Sequence, residues 1–218
     1  MITKNPTFKI NQKKIGEKFP TYFIADIAAN HDGNLNKAID LIYSAKENGA
    51  DAVKFQHFEA ETIVSNKTFT NMNSKLSHQG DWKKSIFQVY KEASINLDWT
   101  KKLYNLCKKI KIDFFTSPYS YKMVDHVKKY VCAFKIGSGD ITWLEILDYI
   151  SKLKKPVILA TGASSFEDVK LAVNTIKKNT NHNCIMQCNT NYTAKSDNFN
   201  YINLKVLNAY KKKFPYAV

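Results

Sequence analysis

The chain has 218 residues, of which 44% are hydrophobic, and this is enough to build one sizeable core. The formal net charge is +14, and every basic residue is a lysine. A nucleic-acid-binding protein is expected to use arginine for bidentate contacts with bases and phosphates, and the lysines here are scattered along the chain, so this class is disfavoured, whereas anionic small substrates would still be attracted.

No apolar run approaches the length that spans a membrane, and the N-terminus lacks a secretory pattern. The four cysteines show no paired spacing, so we expect reduced thiols in a cytoplasmic protein. They are Cys107, Cys132, Cys184 and Cys188.

The first segment, Thr7–Lys14, predicts a small strand or hairpin, and residues 1–20 are interpreted as an N-terminal extension. Residues 21–218 then alternate between apolar strands and amphipathic helices. The predicted strands are Tyr22–Ala28, Ala52–Phe58, Ile112–Ser117, Ala133–Gly137, Val157–Thr161 and Cys184–Asn189. The predicted helices are Asn36–Asn48, Trp82–Ala93, Trp99–Lys109, Tyr121–Lys129, Trp143–Leu153, Phe166–Lys178 and Tyr201–Phe214.

Local signals mark several helix ends. We expect N-terminal caps at Asn34 and Asp98, and a capping arrangement of Ser164-Ser165 with Glu167. Asn48-Gly49 should end the first helix. The connection at residues 59–79 has weak periodicity and is long, which is typical of functional or mobile segments.

Strands that are apolar on both faces indicate a parallel sheet covered by helices. Repeated strand–helix units predict an α/β fold, either doubly wound or a (β/α)8 TIM barrel. Six units are present, and Pro215–Val218 reads as the opening of a seventh strand. Because eight units typically need about 250 residues, the barrel is predicted to be incomplete in this chain.

Polar residues follow strand after strand at the carboxyl end, where the loops of a barrel build its active site. Two lysines from neighbouring strands, with hydroxyls and glycine-containing turns, predict a cradle for phosphate and carboxylate groups. Buried lysines need anionic partners, and Asp26 and Asp140 are candidates. The residues are Asp26, Lys54, Gln56, Thr116, Ser117, Lys135, Ser138, Asp140, Thr161, Gly162, Asn189, Thr190 and Tyr192.

Each residue also has a structural interpretation. Lys54 could extend its ammonium to the surface, and Asp26 could cap a turn or pair with a structural lysine. His31 is expected to hydrogen-bond within its own turn, and His57 to pack in a loop. The recurrence of polar groups at six successive strand ends favours function, since packing alone has no reason to arrange it.

The stretches FIADIAANHDG, AVKFQHF, FFTSPY, AFKIGSGD, ATGAS and QCNTNYT resemble the catalytic barrel of the sialic acid synthase family. The resemblance implies a (β/α)8 barrel followed by an antifreeze-like domain that reaches into the partner subunit's site, and hence a homodimer. It implies condensation of phosphoenolpyruvate with an N-acetylated aminohexose, such as N-acetylmannosamine, to a nine-carbon acid. Which sugar is used stays open.

Carried over by position, the resemblance implies three catalytic residues: Asp26 handles a proton or orients the reacting sugar aldehyde, and Lys54 and Lys135 hold phosphoenolpyruvate. It also implies a set of substrate-binding residues from strands two to six. Of these, Ser117 and Ser138 lie beside phosphoenolpyruvate, while Gln56, Asp140 and Tyr192 face the sugar. The full substrate-binding set is Gln56, Ser117, Ser138, Asp140, Thr161, Asn189, Thr190 and Tyr192.

The family resemblance implies a divalent metal, usually manganese, held by two histidines on strands seven and eight. Those strands would follow Val218, so we expect no metal ligand within this chain. The alternative to an active synthase is a catalytically inactive remnant, or a module that binds phosphoenolpyruvate without metal.

Overall fold

The computed structural model describes residues 6–71, 82–192 and 195–218. The described residues fall into two compact units. We call residues 23–131 the central unit, and the residues before 23 and after 131 the terminal unit.

Strands and helices alternate along the chain. The strands are β1 (Phe8–Ile10), β2 (Lys13–Ile15), β3 (Ile24–Ala28), β4 (Ala52–His57), β5 (Asp113–Pro118), β6 (Phe134–Ile136), β7 (Val157–Ala160) and β8 (Asn183–Met186). The helices are α1 (Leu35–Glu47), α2 (Ala60–Ile63), α3 (Asn66–Asn71), α4 (Ile86–Ala93), α5 (Trp99–Ile110), α6 (Tyr121–Val127), α7 (Leu144–Lys152), α8 (Phe166–Lys177) and α9 (Val206–Lys213). Short 3₁₀ turns lie at Ser138–Asp140 and Ser196–Tyr201.

In the central unit, β3 pairs with β4 and β4 with β5, and both pairs are parallel. All of β4 except Gln56 is buried, because α1 packs against β3 and β4 while α5 and α6 pack against β5. Burial on both faces explains why these strands read as continuous apolar runs.

In the terminal unit, β6 pairs with β7 and β7 with β8, again in parallel, and α7 packs beside α8. The predicted hairpin is confirmed, since β1 and β2 are antiparallel. The strand–helix repeats of both units confirm the predicted α/β, TIM-barrel class.

Val218 continues the pattern beyond β8. Its N–H donates to the Asn183 carbonyl at 3.1 Å, and the Ile185 N–H donates to the Val218 carbonyl at 2.8 Å. This is the exchange that a parallel neighbour makes. The prediction that Pro215–Val218 opens a seventh strand is therefore confirmed for Val218, whereas Pro215 and Tyr216 lie in a turn.

The helix caps agree with the prediction in part. Asn34 accepts a hydrogen bond from the Lys37 N–H at 3.1 Å, and Gly49 adopts a left-handed φ of 83° after α1. Asp98, in contrast, caps no N–H with its side chain. At α8 the capping box joins Ser165 to Asp168, so the predicted role of Glu167 was wrong.

Two predicted helices begin later than expected. The helix expected from Trp82 begins at Ile86, where the Ser85 side chain accepts a bond from the Gln88 N–H. The last helix begins at Val206, because the residues before it include a 3₁₀ turn. The long connection after β4 contains α2 and α3, and its residues 72–79 lie outside the described ranges.

The four cysteines form no disulfide with one another. Burial raises the pKa of the Cys107 thiol to about 12 and that of Cys184 to about 11. Within the described ranges, no helix combines the length and apolarity needed to cross a membrane.

Candidate active site

Lys54 and Asp26 form an ion pair across β4 and β3. The Lys54 Nζ donates to the Asp26 Oδ1 at 2.7 Å, in keeping with the register that places the two residues opposite each other. The Lys54 side chain is only 4% exposed, whereas that of Asp26 is 57% exposed. Lys54 therefore does not extend to the surface, and the prediction that Asp26 partners a buried lysine is confirmed.

The backbone is irregular directly after Asp26. The register shifts between Asp26 and Ala28, and Ala28 has a φ of 52°, in the left-handed region that non-glycine residues rarely adopt. A bulge of this kind re-aims a strand end and is common beside active sites. It places Asp26 at the last regular position of β3.

His31 bonds within its own turn, as predicted. The Gly33 N–H donates to the His31 Nδ1 at 3.1 Å, and the ring packs edge-on to Trp99 with centroids 5.8 Å apart. Burial lowers the pKa of His31, while the carboxylate of Asp32 opposes this effect. The buried Nε2 has no hydrogen-bond partner among the described residues.

Gln56 and Ser117 lie opposite each other on β4 and β5. The Gln56 Nε2 donates to the Tyr119 Oη at 2.9 Å. Ser117 is buried, and its Oγ has no hydrogen-bond partner within the described part of the chain. Because an unpaired buried hydroxyl costs about 1–3 kcal/mol, this group is suited to a ligand.

His57 is fully buried and ends β4. Both of its ring nitrogens lie within hydrogen-bond distance of threonine hydroxyls. Its predicted role in packing is confirmed, although it lies in a strand rather than in a loop.

In the terminal unit, Ser138 is joined to the turn after β7. The Gly162 N–H donates to the Ser138 Oγ at 3.0 Å. A Cβ atom at Gly162 would lie 2.5 Å from the Thr190 Cγ2 and 2.9 Å from the Cys188 carbonyl oxygen. Only glycine fits here, so the loops after β6, β7 and β8 meet at Gly162.

The positive charge of Lys135 acts on the Asp140 carboxyl. Lys135 is partly buried in β6, and Asp140 lies in the following 3₁₀ turn. Burial raises the pKa of the Asp140 carboxyl, and the positive charge of Lys135 opposes that effect. Of the two carboxylates expected to partner lysines, Asp140 is the more deeply withdrawn from water.

The remaining predicted residues have different surroundings. The Thr161 hydroxyl donates to the Met186 carbonyl at 3.0 Å and so ties β7 to β8. The Asn189 Nδ2 donates to the Asn198 carbonyl at 3.2 Å. Tyr192 is 76% exposed, which makes it accessible to a partner or ligand.

The sequence did not single out three residues that hold the candidate site in place. Tyr119 accepts from Gln56, Tyr210 lies 3.3 Å from the Thr161 hydroxyl, and Asn198 holds Asn189. Tyr119 had a sequence signal, since it follows Ser117 by two residues. The other two carried none, because nothing in the residues around Tyr210 or Asn198 indicates the partner of either side chain.

The described residues do not fit a metal centre. Across residues 6–71, 82–192 and 195–218, no three histidine, cysteine, aspartate or glutamate side chains converge as a set of ligands. No chemical step can therefore be assigned to a metal held by these residues.

The comparisons with known proteins agree on one family. The sequence model of the NeuB family matches residues 41–218. The N,N'-diacetyllegionaminic acid synthase of Campylobacter jejuni is 34% identical over 198 residues, which are 89% of this chain and 58% of that protein. The spore coat polysaccharide biosynthesis protein SpsE of Bacillus subtilis is 32% identical over 214 residues, 97% of this chain and 55% of that protein.

Solved structures share the fold. The crystal structure of SpsE from Bacillus subtilis matches with a TM-score of 0.79 over 97% of this chain and 55% of that one. The N-acetylneuraminic acid (sialic acid) synthetase of Leptospira borgpetersenii matches with a TM-score of 0.82 and 25% identity, over 96% of this chain and 67% of that one. The chain spans little more than half the length of the curated relatives it matches.

Proposed function

Because the chain belongs to the NeuB family, we propose that it carries the barrel residues of a nonulosonic acid synthase. The reaction joins phosphoenolpyruvate to an N-acetylated aminohexose and releases phosphate. One relative is named for legionaminic acid and another for sialic acid, and both resemble the chain. The family therefore supports the class of reaction and does not select one sugar substrate.

One observation carries the proposal. Lys54 keeps its ammonium almost wholly buried while the Asp26 carboxylate paired with it remains largely accessible. Withdrawing an ammonium from water is costly without an anionic partner, and Asp26 supplies that partner while its carboxylate stays open to solvent. A carboxylate that touches both a buried cation and solvent is placed to exchange a proton with a bound substrate.

The chain's residues then have the following roles. In the central unit, Asp26 acts as general acid–base and Lys54 offsets the negative charge of phosphoenolpyruvate. The Ser117 hydroxyl, which has no partner among the described residues, is an added donor. In the terminal unit, Lys135 and Ser138 bind phosphoenolpyruvate, and Asp140 faces the sugar. These roles are supported by the family motifs and by the contacts within each unit.

The reaction forms one carbon–carbon bond and breaks the bond between C2 and the phosphate oxygen. The C3 carbon of phosphoenolpyruvate forms a bond to the open-chain sugar aldehyde, whose oxygen takes up a proton. Water adds at C2, and the C2–O bond to phosphate breaks as the ketone forms. The divalent metal expected for the family would polarise the aldehyde oxygen and lower the cost of its negative charge.

The test is turnover with the purified protein in a buffer that supplies a divalent metal. We expect phosphate release that needs both phosphoenolpyruvate and an amino sugar, and a product whose mass equals that of a nine-carbon acid. Lys135→Met should abolish the release, whereas Lys129→Met, a change at a lysine outside the predicted site residues, should not. Binding of phosphoenolpyruvate without product would support the binding module instead, and absence of both would reject the proposal.

A further inference from the structure

His57 lies on the face of β4 that is opposite to the candidate site residues. Alternate residues of a strand point to opposite faces, so Lys54 and Gln56 share one face while Phe55 and His57 share the other. The contacts of the His57 ring confirm this, because they include a residue of α5. His57 therefore cannot touch a ligand that Gln56 binds, and any influence on that ligand must be indirect.

Four hydrogen bonds form a continuous chain through this ring. His126 Nε2 lies 3.0 Å from the Thr100 Oγ1, which lies 3.0 Å from the His57 Nε2. On the other side of the ring, the His57 Nδ1 lies 2.8 Å from the Thr116 Oγ1, and this hydroxyl donates to the Phe55 carbonyl at 2.8 Å.

The chemistry of the last acceptor fixes the direction of every bond. A carbonyl only accepts, so Thr116 gives its one proton to Phe55 and must accept from the His57 Nδ1–H. Burial, and to a smaller extent two neighbouring histidines, lower the pKa of His57 to about 3, and the ring is neutral. Its Nε2 then accepts from Thr100, which in turn accepts from the His126 Nε2–H.

We propose that this hydrogen-bond chain makes His57 a positioning residue, which sets the separation of the carboxyl ends of β4 and β5. Gln56 and Ser117 each lie one residue from a member of the chain, and the Tyr119 N–H also donates to the His57 carbonyl at 3.0 Å. The hydrogen-bond chain therefore sets the positions of Gln56 and Ser117. The catalytic consequence rests on the proposed function, whereas the direction of the hydrogen bonds does not.

The first test is the tautomer of His57 in the complete chain. ¹⁵N NMR of protein labelled at histidine should show a neutral His57 ring protonated at Nδ1 and bare at Nε2 near neutral pH, because the protein's hydrogen bonds select the tautomer. The signal is assigned by its loss in His57→Asn and His57→Gln. A ring protonated at Nε2, or at both nitrogens, would overturn the proposal.

A second test changes one hydroxyl. Thr116→Val removes the acceptor for Nδ1–H, whereas Thr116→Ser keeps it. We expect the tautomer to persist in the serine variant and to be lost in the valine variant. Thr175→Val, a change at a threonine buried in α8, is the control and should leave the His57 signal unchanged. Persistence of the Nδ1–H tautomer in Thr116→Val would contradict the assigned direction.

The third test separates positioning from packing. Asparagine places an amide donor where Nδ1 lies, and glutamine places its polar atoms where Nε2 lies. We expect His57→Asn to keep kcat/KM within about threefold and His57→Gln to lose about tenfold or more, since small misplacements are costly in catalysis. Equal losses would indicate packing alone. Absence of turnover in the unmodified chain would reject the proposed function and leave the NMR result to decide this inference.

Discussion

At the scale of single residues, the Lys54–Asp26 pair is asymmetric. The ammonium is buried and the carboxylate is not, so the two side chains depend on each other to different degrees. Removing the carboxylate leaves a buried charge without the anion 2.7 Å away, whereas removing the ammonium leaves a carboxylate that water can solvate.

We therefore expect Asp26→Asn to lower the free energy of unfolding by about 1–3 kcal/mol. Lys54→Met should change it by less than about 1 kcal/mol, because an apolar side chain replaces a buried cation. Both should abolish turnover. Urea unfolding gives the two values, and Asp125→Asn, which breaks the exposed pair with Lys128, is the control and should cost less than about 1 kcal/mol. A larger loss in Lys54→Met than in Asp26→Asn would contradict this account.

Asp140 predicts a pH dependence. Burial raises its pKa in the folded chain above the ordinary value, so the folded state holds this proton more tightly than the unfolded state does. The resulting stabilisation is complete below the ordinary pKa and is lost as the pH rises through the raised value. The free energy of unfolding of Asp140→Asn, relative to that of the unmodified chain, should therefore increase as the pH rises from about 3 to about 7. Urea unfolding at both pH values measures the gain, and a constant or falling difference would refute it.

At the scale of elements, the loops after β6, β7 and β8 meet at one crowded glycine. Gly162 has no room for a Cβ, whereas Gly139, in the 3₁₀ turn after β6, has no atom within 4 Å of the position that a Cβ would take. Gly139 is therefore a suitable control for a substitution of Gly162, because both glycines lie in the same unit.

Gly162→Ala should push the Cys188–Thr190 loop or the Ser138 hydroxyl aside and lower the free energy of unfolding by about 1–3 kcal/mol. Binding of phosphoenolpyruvate should weaken with it. Gly139→Ala should stay within about 0.5 kcal/mol. Thermal unfolding and equilibrium binding test the pair, and similar effects of the two substitutions would show that the crowding has no consequence.

The sequence predicts the elements better than the contacts between them. Five strands of the repeat fall within two residues of their predicted bounds, because burial on both faces leaves a continuous apolar run. The sixth, β8, ends three residues before the predicted Asn189. The late start of α9 was missed, since the residues before it bond locally in a 3₁₀ turn. The support of Asn189 by Asn198 was also missed, because an asparagine in a polar loop carries no signal of its partner.

The candidate site divides in the same way. Lys54 and Asp26 were predictable, since charged residues inside an apolar strand need a reason and a partner. The hydrogen-bond chain through His57, Thr100 and Thr116 could not be predicted. It depends on which face each residue occupies and on helices that lie far away in sequence, and neither follows from the order of residues alone.

At the scale of the whole molecule, the formal net charge of +14 acts on any anionic substrate. Such a charge accelerates association with small anions and loses its effect as salt screens it. Lysines are spread along the chain rather than gathered in one segment, so the attraction should be general and should not recognise a sequence of bases.

We therefore expect kcat/KM for phosphoenolpyruvate to fall as the ionic strength rises from about 0.01 M to 0.15 M, where the screening length shortens from about 30 Å to 8 Å. Under the same conditions the KM of an uncharged amino sugar should stay nearly constant, which serves as the internal control. Steady-state kinetics with each substrate varied in turn measure both quantities. An equal salt dependence for the two substrates would rule out steering by charge.

The cysteines differ in their expected reactivity toward alkylating dyes. Burial raises the pKa of the Cys107 thiol to about 12 and that of Cys184 to about 11, so both thiols stay almost wholly protonated at neutral pH. Alkylating dyes react with thiolates, and these two side chains will therefore resist labelling. Cys188 is only partly buried and lies in the loop that crowds Gly162, so a dye attached to it would lie beside the loops that meet there. Once Cys132 is replaced, we expect the fluorescence of a dye on the native Cys188 to change when a ligand binds beside this loop.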